Sequence, residues 1–272
     1  MKKLTYILSA FMILTACQKE NGVNLLPEGK YPLIISSVQM MDDVQTRVSE
    51  NTTNGMSSQW DGGEEITVQL SGTMDDGTSY TAEGKYTLND DKQPLIPVIE
   101  KELYWHSTNN GIVTAWYSNV AASDNTITLG SQAGGLAYVL KAQPQNVTFN
   151  TSTTLTFSHQ LAKIRVLITG TANIENATIK VKGHTQGTIN CGTITRREDT
   201  KGWITMKRSS YSNGTICYEA NVIPYTEYML YKSAFQVITQ YGETTTIDLD
   251  AGVNVSEKGK IHTITLTVNN RP

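Results

Sequence analysis

The sequence predicts an all-β protein that is divided into two β-sandwiches, one after the other along the chain. Short segments rich in β-branched and aromatic residues recur about every 8–12 residues, separated by Gly, Asn, Asp and Ser turns, as is typical of sandwiches. No segment combines a sustained 3.6-residue apolar period with helix-capping signals, so amphipathic helices are not expected. The length of 272 residues exceeds one ordinary sandwich and favours two.

The first 17 residues, MKKLTYILSAFMILTAC, have the features of an export signal. Two lysines precede an apolar run that is too short to span a bilayer comfortably. The sequence Leu14-Thr15-Ala16-Cys17 then resembles the lipobox of bacterial lipoproteins, which predicts removal of residues 1–16 and acylation of Cys17. The alternative is an ordinary secretory signal with an incidental cysteine. Acylation would anchor the protein in the outer membrane, at the cell surface or on a fimbrium, with residues 17–30 as a flexible tether.

Residues 31–146 are predicted to form the first sandwich. Tyr31–Met40 is its first strand, because it is rich in β-branched residues and bounded by Pro and Gly. Residues 121–137 are small and polar and predict a long loop. Pro144 marks a boundary, after which residues 147–272 form the second sandwich. The other segments predicted as strands of the first sandwich are EEITVQLSG, SYTAEGKYTLND, KELYW, IVTAWYSNV and YVLKAQ.

The stretch Thr154–Gly170 has the longest clean apolar alternation, and its phase changes partway along. Leu155 and Phe157 occupy odd positions, whereas Ile164 and Val166 occupy even positions. Since alternate residues of a strand point to opposite faces, this change predicts a bulge or bend near residues 160–162. We interpret the stretch as one bent strand that opens the second sandwich, with a hydrogen bond from His159 holding the bend. The segments that follow it are ATIKVKGH, GTINCGTIT, GWITMKRSS, ICYEANVIP, YMLYKSAFQVITQ, TTTIDLDAG and KIHTITLTV.

Composition and motifs exclude several classes of function. The net charge is −3 and no basic run occurs, which argues against nucleic-acid binding. The four histidines lack metal-ligand spacing and no CxxC motif occurs, so no metal site is predicted. No nucleophile elbow, phosphate loop or dinucleotide fingerprint is found, so the chain is predicted not to be an enzyme and to need no cofactor.

Two cysteines remain once Cys17 is assigned to lipid. Cys191 and Cys217 both lie in segments that look like strands. In an exported protein a disulfide between them is allowed, but buried free thiols are equally ordinary in strands. The sequence leaves both alternatives open.

Aromatic residues suggest a binding surface. Trp105, Trp116 and Trp203 are candidates for a platform on which sugar rings stack. However, adjacent aromatic residues on a strand point to opposite faces, so one of each neighbouring pair must face inward. Packing in the core is therefore the alternative for these rings.

Several short segments, in order along most of the chain, together resemble the fimbrillin-like (Mfa-like) lipoproteins of gut and oral anaerobes. The resemblance implies two tandem transthyretin-like (Greek-key) β-sandwich domains and a role as a fimbrial subunit in adhesion and assembly. The residues that carry it are Thr46-Arg47, Trp60-Asp61-Gly62-Gly63-Glu64-Glu65-Ile66, Tyr104-Trp105, Ala115-Trp116-Tyr117, Phe157-Ser158-His159-Gln160-Leu161-Ala162-Lys163 and Gly259-Lys260-Ile261-His262.

Such subunits assemble by strand exchange: proteolysis removes an N-terminal strand, and the strand of a partner fills the groove. The resemblance implies Tyr31–Met40 as the removable strand and Arg47 as a trypsin-like cleavage point, although Arg47 could also simply begin the next strand. The short sequence after Ile261–Val268 favours a tip, anchor or accessory subunit. Expected partners are the outer membrane, other fimbrial subunits and surface ligands. The alternative function is a surface glycan-binding lipoprotein that presents carbohydrate to an uptake system.

Overall fold

A computed structural model of the chain describes residues 28–41, 49–89, 94–170 and 176–269. The predicted signal sequence, Cys17 and Arg47 lie outside these residues. No helix within them has the length and apolar character that crossing a membrane requires.

The prediction of an all-β protein is confirmed, because the described residues contain no α-helix and a single 3-10 turn at Glu198–Thr200. The first eleven strands are β1 (Ile35–Met40), β2 (Ser49–Glu50), β3 (Ser58–Gln59), β4 (Glu65–Thr73), β5 (Ser79–Leu88), β6 (Leu95–Pro97), β7 (Gly111–Ser118), β8 (Thr126–Thr128), β9 (Val139–Ala142), β10 (Gln145–Val147) and β11 (Thr153–His159).

The remaining strands of the described chain are shorter on average and carry the second core. They are β12 (Ala162–Thr169), β13 (Thr178–His184), β14 (Gln186–Asn190), β15 (Thr193–Arg196), β16 (Lys201–Thr205), β17 (Lys207–Ser210), β18 (Ile216–Val222), β19 (Met229–Leu230), β20 (Phe235–Ile238), β21 (Thr244–Ile247), β22 (Val253–Asn254) and β23 (Ile261–Thr267).

One large sheet surrounds the first core. Its strand order is β1-β11-β9-β7-β4-β5-β6 within the described residues, and β10 adds beside β7. The central pairs are antiparallel, whereas β1 lies parallel to β11 at one edge. The sheet curls, so that β1 and β6 at its two edges come into contact. Buried aromatic rings fill much of the enclosed space, including Trp60, Tyr86, Trp105 and Phe157.

The second core lies among smaller sheets. Two of them have the orders β17-β18-β12-β23 and β16-β13-β20-β21, and a third joins β15, β14 and β8. Alternation along the strands determines which residues face inward: on β13, Ile179 and Val181 are fully buried, and Lys180 between them is half-buried. This core is largely aliphatic.

Residues 121–137 are not the long surface loop that the sequence predicts. They contain β8, which pairs with β14 of the second half, and Ile127 and Leu129 are completely buried in the second core. The side chain of Gln132 donates to the carbonyl of Asn221 at 2.7 Å, which fixes the segment against β18. The small, polar composition concealed these alternating apolar residues. The chain therefore enters the second half before it returns to the first sheet through β9.

The phase change in Thr154–Gly170 is confirmed as a break, since β11 ends at His159 and β12 begins at Ala162. Our interpretation of one bent strand is wrong, however. β11 pairs with β1 and β9 in the first sheet, whereas β12 pairs with β18 and β23 in the second half. The break is thus the crossing between two sheets. The division at residue 146 stays a prediction.

His159 stabilises this crossing in a different way from the one expected. Its Nε2 atom has no hydrogen-bond partner among the described residues. The ring instead packs edge-on against Tyr138, with 5.9 Å between ring centroids. Burial, reinforced by Lys163, lowers the pKa of His159 to about 3, so the imidazole is neutral. The bend is held by packing of a neutral ring.

Candidate functional site

The first candidate site is the segment Tyr31–Met41, which includes β1. Its beginning bonds to the chain near residue 104: the amide of Leu33 donates to the carbonyl of Leu103 at 2.8 Å, and that of Trp105 donates to Tyr31 at 2.9 Å. Its later part pairs in parallel with β11. The segment is therefore the edge strand of the large sheet, and its backbone is held from both sides.

Side chains of this edge strand contribute to the first core. Leu33, Ile35 and Val38 are 2%, 1% and 6% exposed, whereas Ile34 between them is 45% exposed. Full burial of such a side chain stabilises by about 1.5–3 kcal/mol, so the three together contribute roughly 5–9 kcal/mol. Removing the strand would leave an apolar groove along β11 that requires another occupant.

A loop from the first half covers a buried ionic cluster of the second half. We call residues Asn51–Ser57 the docked loop. Backbone carbonyls of Thr52 and Thr53 accept from the amides of Ser212 and Asn213 at 2.9 and 3.1 Å. This loop begins a few residues after the predicted cleavage point at Arg47. The chain on the C-terminal side of that point is therefore hydrogen-bonded to the second half.

The cluster under the docked loop centres on Arg165 and Glu219. The guanidinium donates to the Glu219 carboxylate at 2.8 Å from Nε and lies 2.7 Å from it through Nη2. It also donates to the carbonyl of Asn54 at 2.8 Å and to the sulfur of Met56. The side chains of Arg165 and Glu219 are 5% and 0% exposed. The docked loop therefore supplies the remaining hydrogen-bond acceptors of the buried Arg165 guanidinium.

Three neighbours complete the electrostatics of this cluster. The Tyr211 hydroxyl donates to Glu219 at 2.5 Å, and Lys163 donates to the carbonyl of Gly55 at 3.3 Å. Burial alone would favour a protonated Glu219, but Lys163, the Tyr211 hydroxyl and Arg165 together lower the pKa of its carboxyl. Gly55 has φ +67°, and a Cβ there would lie 2.2 Å from the Tyr211 ring. Glycine is needed at this position of the docked loop.

Sequence reasoning missed this cluster. The signal that could have found it is Glu219 within the largely apolar strand β18; the structure places it opposite Arg165 on β12. A lone carboxylate in such a strand is seldom buried without a paired cation.

The three candidate tryptophans occupy different environments. Trp105 is 2% exposed and packs edge-on against Phe149, with 5.7 Å between ring centroids, so it cannot stack a sugar. That candidate is wrong: Lys101–Trp105 does not form the predicted strand, Trp105 packs in the first core, and Tyr104 is half-buried in an isolated bridge with Pro32. Trp116 and Trp203 are half-buried. Lys182 already covers the ring of Trp203, with its Nζ 4.8 Å from the centroid.

Trp116 lies on the outer face of the large sheet, while its neighbour Tyr117 points inward and packs on Trp60. Burial, with Glu64 and Asp61 nearby, raises the pKa of Tyr117 to about 12, so its phenol stays protonated. The Glu64 carboxylate accepts the amides of Asp61 and Gly62 at 2.7 and 2.9 Å. This carboxylate stabilises a turn.

The two remaining cysteines are free thiols. Cys217 is completely buried on β18, whereas Cys191 is half-buried in the turn between β14 and β15. The disulfide that the sequence left open is therefore not formed in this structure. No group of three or more potential metal ligands is found within the described residues.

Comparison with known proteins agrees with the resemblance seen in the sequence. The model of the family described as fimbrillin-like matches residues 46–271. The chain belongs to the fimbrillin-like family.

Solved structures share the fold. A protein of Bacteroides uniformis provisionally assigned to cell adhesion is 16% identical, with a TM-score of 0.61, and the match covers 90% of this chain and 94% of that one. A protein of Bacteroides ovatus with the same provisional assignment is 14% identical, with a TM-score of 0.64 and coverage of 88% and 92%. Because the identities are so low, these matches show that this fimbrillin-like chain shares the fold of the two proteins. No curated protein matches the sequence.

Proposed function

We propose that this fimbrillin-like chain is a lipid-anchored fimbrial subunit or accessory protein, at the tip or anchor of a fimbria, that serves cell-surface adhesion and fimbria assembly. Membership of the family supports association with other fimbrial subunits at the cell surface. The lipobox-like sequence supports acylation of Cys17 and attachment to the outer membrane. The role requires no catalysis, and the absence of enzymatic activity stays a prediction.

The observation that carries the assembly role is the edge position of Tyr31–Met41. The strand β1 can leave without breaking the sheet interior, since within the described residues it pairs only with β11. Just before it, Tyr31 and Leu33 make two further backbone bonds, to Trp105 and Leu103, which would also have to break. Leu33, Ile35 and, after a register shift, Val38 supply inward side chains that a donor strand could replace in kind. We infer that cleavage at Arg47 frees this segment and that a strand of another subunit takes its place.

The proposal retains two tandem transthyretin-like (Greek-key) domains, predicted as residues 31–146 and 147–272. Two separate hydrophobic cores support two domains. Because β11 pairs in the first sheet, we assign Thr153–His159 to the first domain.

Treatment with an Arg-specific protease tests strand exchange. The full chain should be cut after Arg47, giving a new N-terminus at Val48, and the cut chain should bind a synthetic peptide YPLIISSVQMM that corresponds to residues 31–41. Arg47→Lys is the matched control, because it keeps the charge but resists the protease. It should neither be cut nor bind the peptide. A cut chain that retains its own strand, and binds neither the peptide nor a second copy, would contradict strand exchange.

A second candidate function is a surface glycan-binding lipoprotein that presents carbohydrate to an uptake system. The half-buried ring of Trp116 favours it, since part of the indole is accessible, whereas Lys182 covers the ring of Trp203. Assembly of the cut chain into polymers would distinguish the first function, because a carbohydrate-presenting protein has no need of polymerisation.

A further inference from the structure

A cleft next to Trp116 is built by both halves of the molecule. Its volume is about 460 Å³, within the range of ordinary ligand clefts, roughly 300–1,000 Å³. We call it the Trp116 cleft. The side chains that the argument uses are Thr67, Glu83, Lys85, Trp116, Asn125 and Asn190.

The floor of the Trp116 cleft follows from strand register. Thr67 pairs with Lys85 on one side and with Trp116 on the other, and Trp116 pairs in turn with Lys141. Directly paired residues of antiparallel strands share a face, so these four side chains form one row across the outer surface of the sheet. An indole ring flanked by a hydroxyl and two ammonium groups therefore forms the floor.

The wall consists of two tight turns, one within residues 121–137 and one between β14 and β15 of the second half. Asp124 and Asn125 have φ values of 49° and 59°, and Cys191 and Gly192 have 44° and 72°. Both are two-residue hairpin loops with the positive φ values of a type I′ turn. The carbonyl of Asn125 accepts the amide of Ile189 at 2.7 Å, which joins the two turns. The amides of Asn125 and Asn190 are thus held on a rigid support.

The turn between β14 and β15 packs directly against Trp116. A Cβ at Gly192 would lie 2.4 Å from the Cβ of Trp116, so only glycine permits this approach. Lys141 donates to the Thr193 hydroxyl at 2.6 Å, which fastens the turn to the sheet. Cys191 carries backbone strain in its left-handed conformation, and such strain recurs where a ligand clamp is pre-organised.

The charged groups around the cleft already have bonding partners. Lys85 is paired with Glu65, Glu83 accepts from Gln69 at 3.0 Å, and Lys141 is bonded to a hydroxyl. A strongly charged ligand would have to displace these partners. What the cleft offers instead is an aromatic face surrounded by amides, hydroxyls and carboxylate oxygens. That combination suits a sugar ring, whose C–H face stacks on indole while its hydroxyls both donate and accept.

We propose that the Trp116 cleft binds a neutral saccharide of a surface glycan. The proposal deepens the adhesive part of the proposed function and does not depend on cleavage or assembly, because the site lies away from β1 and exists in the uncut chain. Trp116 stacks on the sugar ring, and Asn125 and Asn190 bind its hydroxyls.

An array of neutral oligosaccharides, probed with the uncut full chain, tests the proposal. At least one neutral oligosaccharide should bind, and calorimetric titration with it should show binding weakened about tenfold or more by Trp116→Ala. Trp116→Phe should restore much of the affinity. Tyr241→Ala is the matched control, because it removes an exposed aromatic ring that does not line the cleft, and the affinity should stay within about twofold.

Alkylation by iodoacetamide gives a second measurement on the unaltered chain. Cys191 lines the cleft, so the bound oligosaccharide should slow its modification, measured by mass spectrometry of the peptide that contains it. Silence of the whole array would overturn the proposal. So would equal loss of affinity in Trp116→Ala and Tyr241→Ala, or unchanged alkylation at saturating sugar. Each of these results leaves the protease test of assembly unaffected.

Discussion

The strands β11 and β12 follow each other with two residues between them, yet they bury their side chains differently. On β11, Leu155 and Phe157 are completely buried. The residues on the opposite face of the strand, Thr154, Thr156 and Ser158, are half-buried. On β12, Ile164 is completely buried, but the charged residues on the opposite face, Lys163 and Arg165, are only 1% and 4% exposed. Both strands alternate apolar and polar residues, and only one of them has a solvated face.

The difference lies in what covers the polar face. The docked loop lies over Lys163 and Arg165 and supplies carbonyl oxygens to both. Nothing in a strand's own alternation indicates whether a loop distant in sequence will cover it. Alternation therefore predicts which side chains share a face, whereas tertiary contacts decide whether the polar face meets water.

Removing the cation from β12 should have the largest effect. Arg165→Met leaves the carboxylate of Glu219 buried with less compensation, which should lower the free energy of unfolding by about 4 kcal/mol in urea denaturation. Lys260→Met is the control, because the Lys260–Glu257 pair is exposed and should contribute about 0–1 kcal/mol. A loss below about 1 kcal/mol in Arg165→Met would mean that the buried pair does not distinguish β12 from β11.

A cavity in the apolar face of β11 should have a somewhat smaller effect. Leu155→Ala removes a fully buried side chain, and we expect the free energy of unfolding to fall by about 3 kcal/mol. Thr156→Ala, on the half-buried face of the same strand, should change it by no more than about 0.5 kcal/mol. Equal losses in the two variants would show that both faces of β11 are packed, as they are on β12.

The pH dependence at the crossing between the two strands should be the smallest of the three effects. The pKa of His159 is about 3 in the folded chain against 6.5 for an ordinary histidine, because burial disfavours its charged form. The unfolded chain therefore binds more protons below pH 6.5. The contribution to stability is complete above pH 6.5 and is lost progressively as the pH falls toward 3. Between pH 7.5 and pH 5 the loss should be about 2 kcal/mol.

His159→Gln isolates this contribution when unfolding free energies are measured at both pH values. The pKa of His262 is also lowered by burial, and it contributes in the same direction in both proteins. The variant should therefore lose about 2 kcal/mol less than the wild type on acidification. An identical pH dependence would indicate that the His159 ring gains a proton without cost in the folded chain.

Most of the strands and part of the candidate site could be predicted from the sequence. The strand class, the break near residue 160 and the strand within Tyr31–Met40 follow from local patterns, because period-2 alternation and turn residues are local properties. The order of strands in the sheets does not follow from them. β8 alternates as β11 does, but only its pairing with β14 shows that it belongs to the second core.

The candidate tryptophans show the same limit of prediction from local sequence patterns. Parity alone did not say which of Tyr104 and Trp105 would be inside. The Trp116 cleft could not be predicted at all, since its wall comes from turns about ten and seventy-five residues farther along the chain. Resemblance to a family supplied the expected function, whereas the contacts of individual residues locate the surfaces that would perform it.

The crossing at Gln160 and Leu161 has a mechanical consequence. These two residues are 4% and 2% exposed, and the strands on either side enter different sheets without a linker. The docked loop and the Gln132–Asn221 contact tie the halves together at two further places. Within the described residues the two halves are therefore joined at three places, which opposes bending of one half against the other. In the proposed fimbria, such a subunit would transmit load to its neighbours with little internal bending.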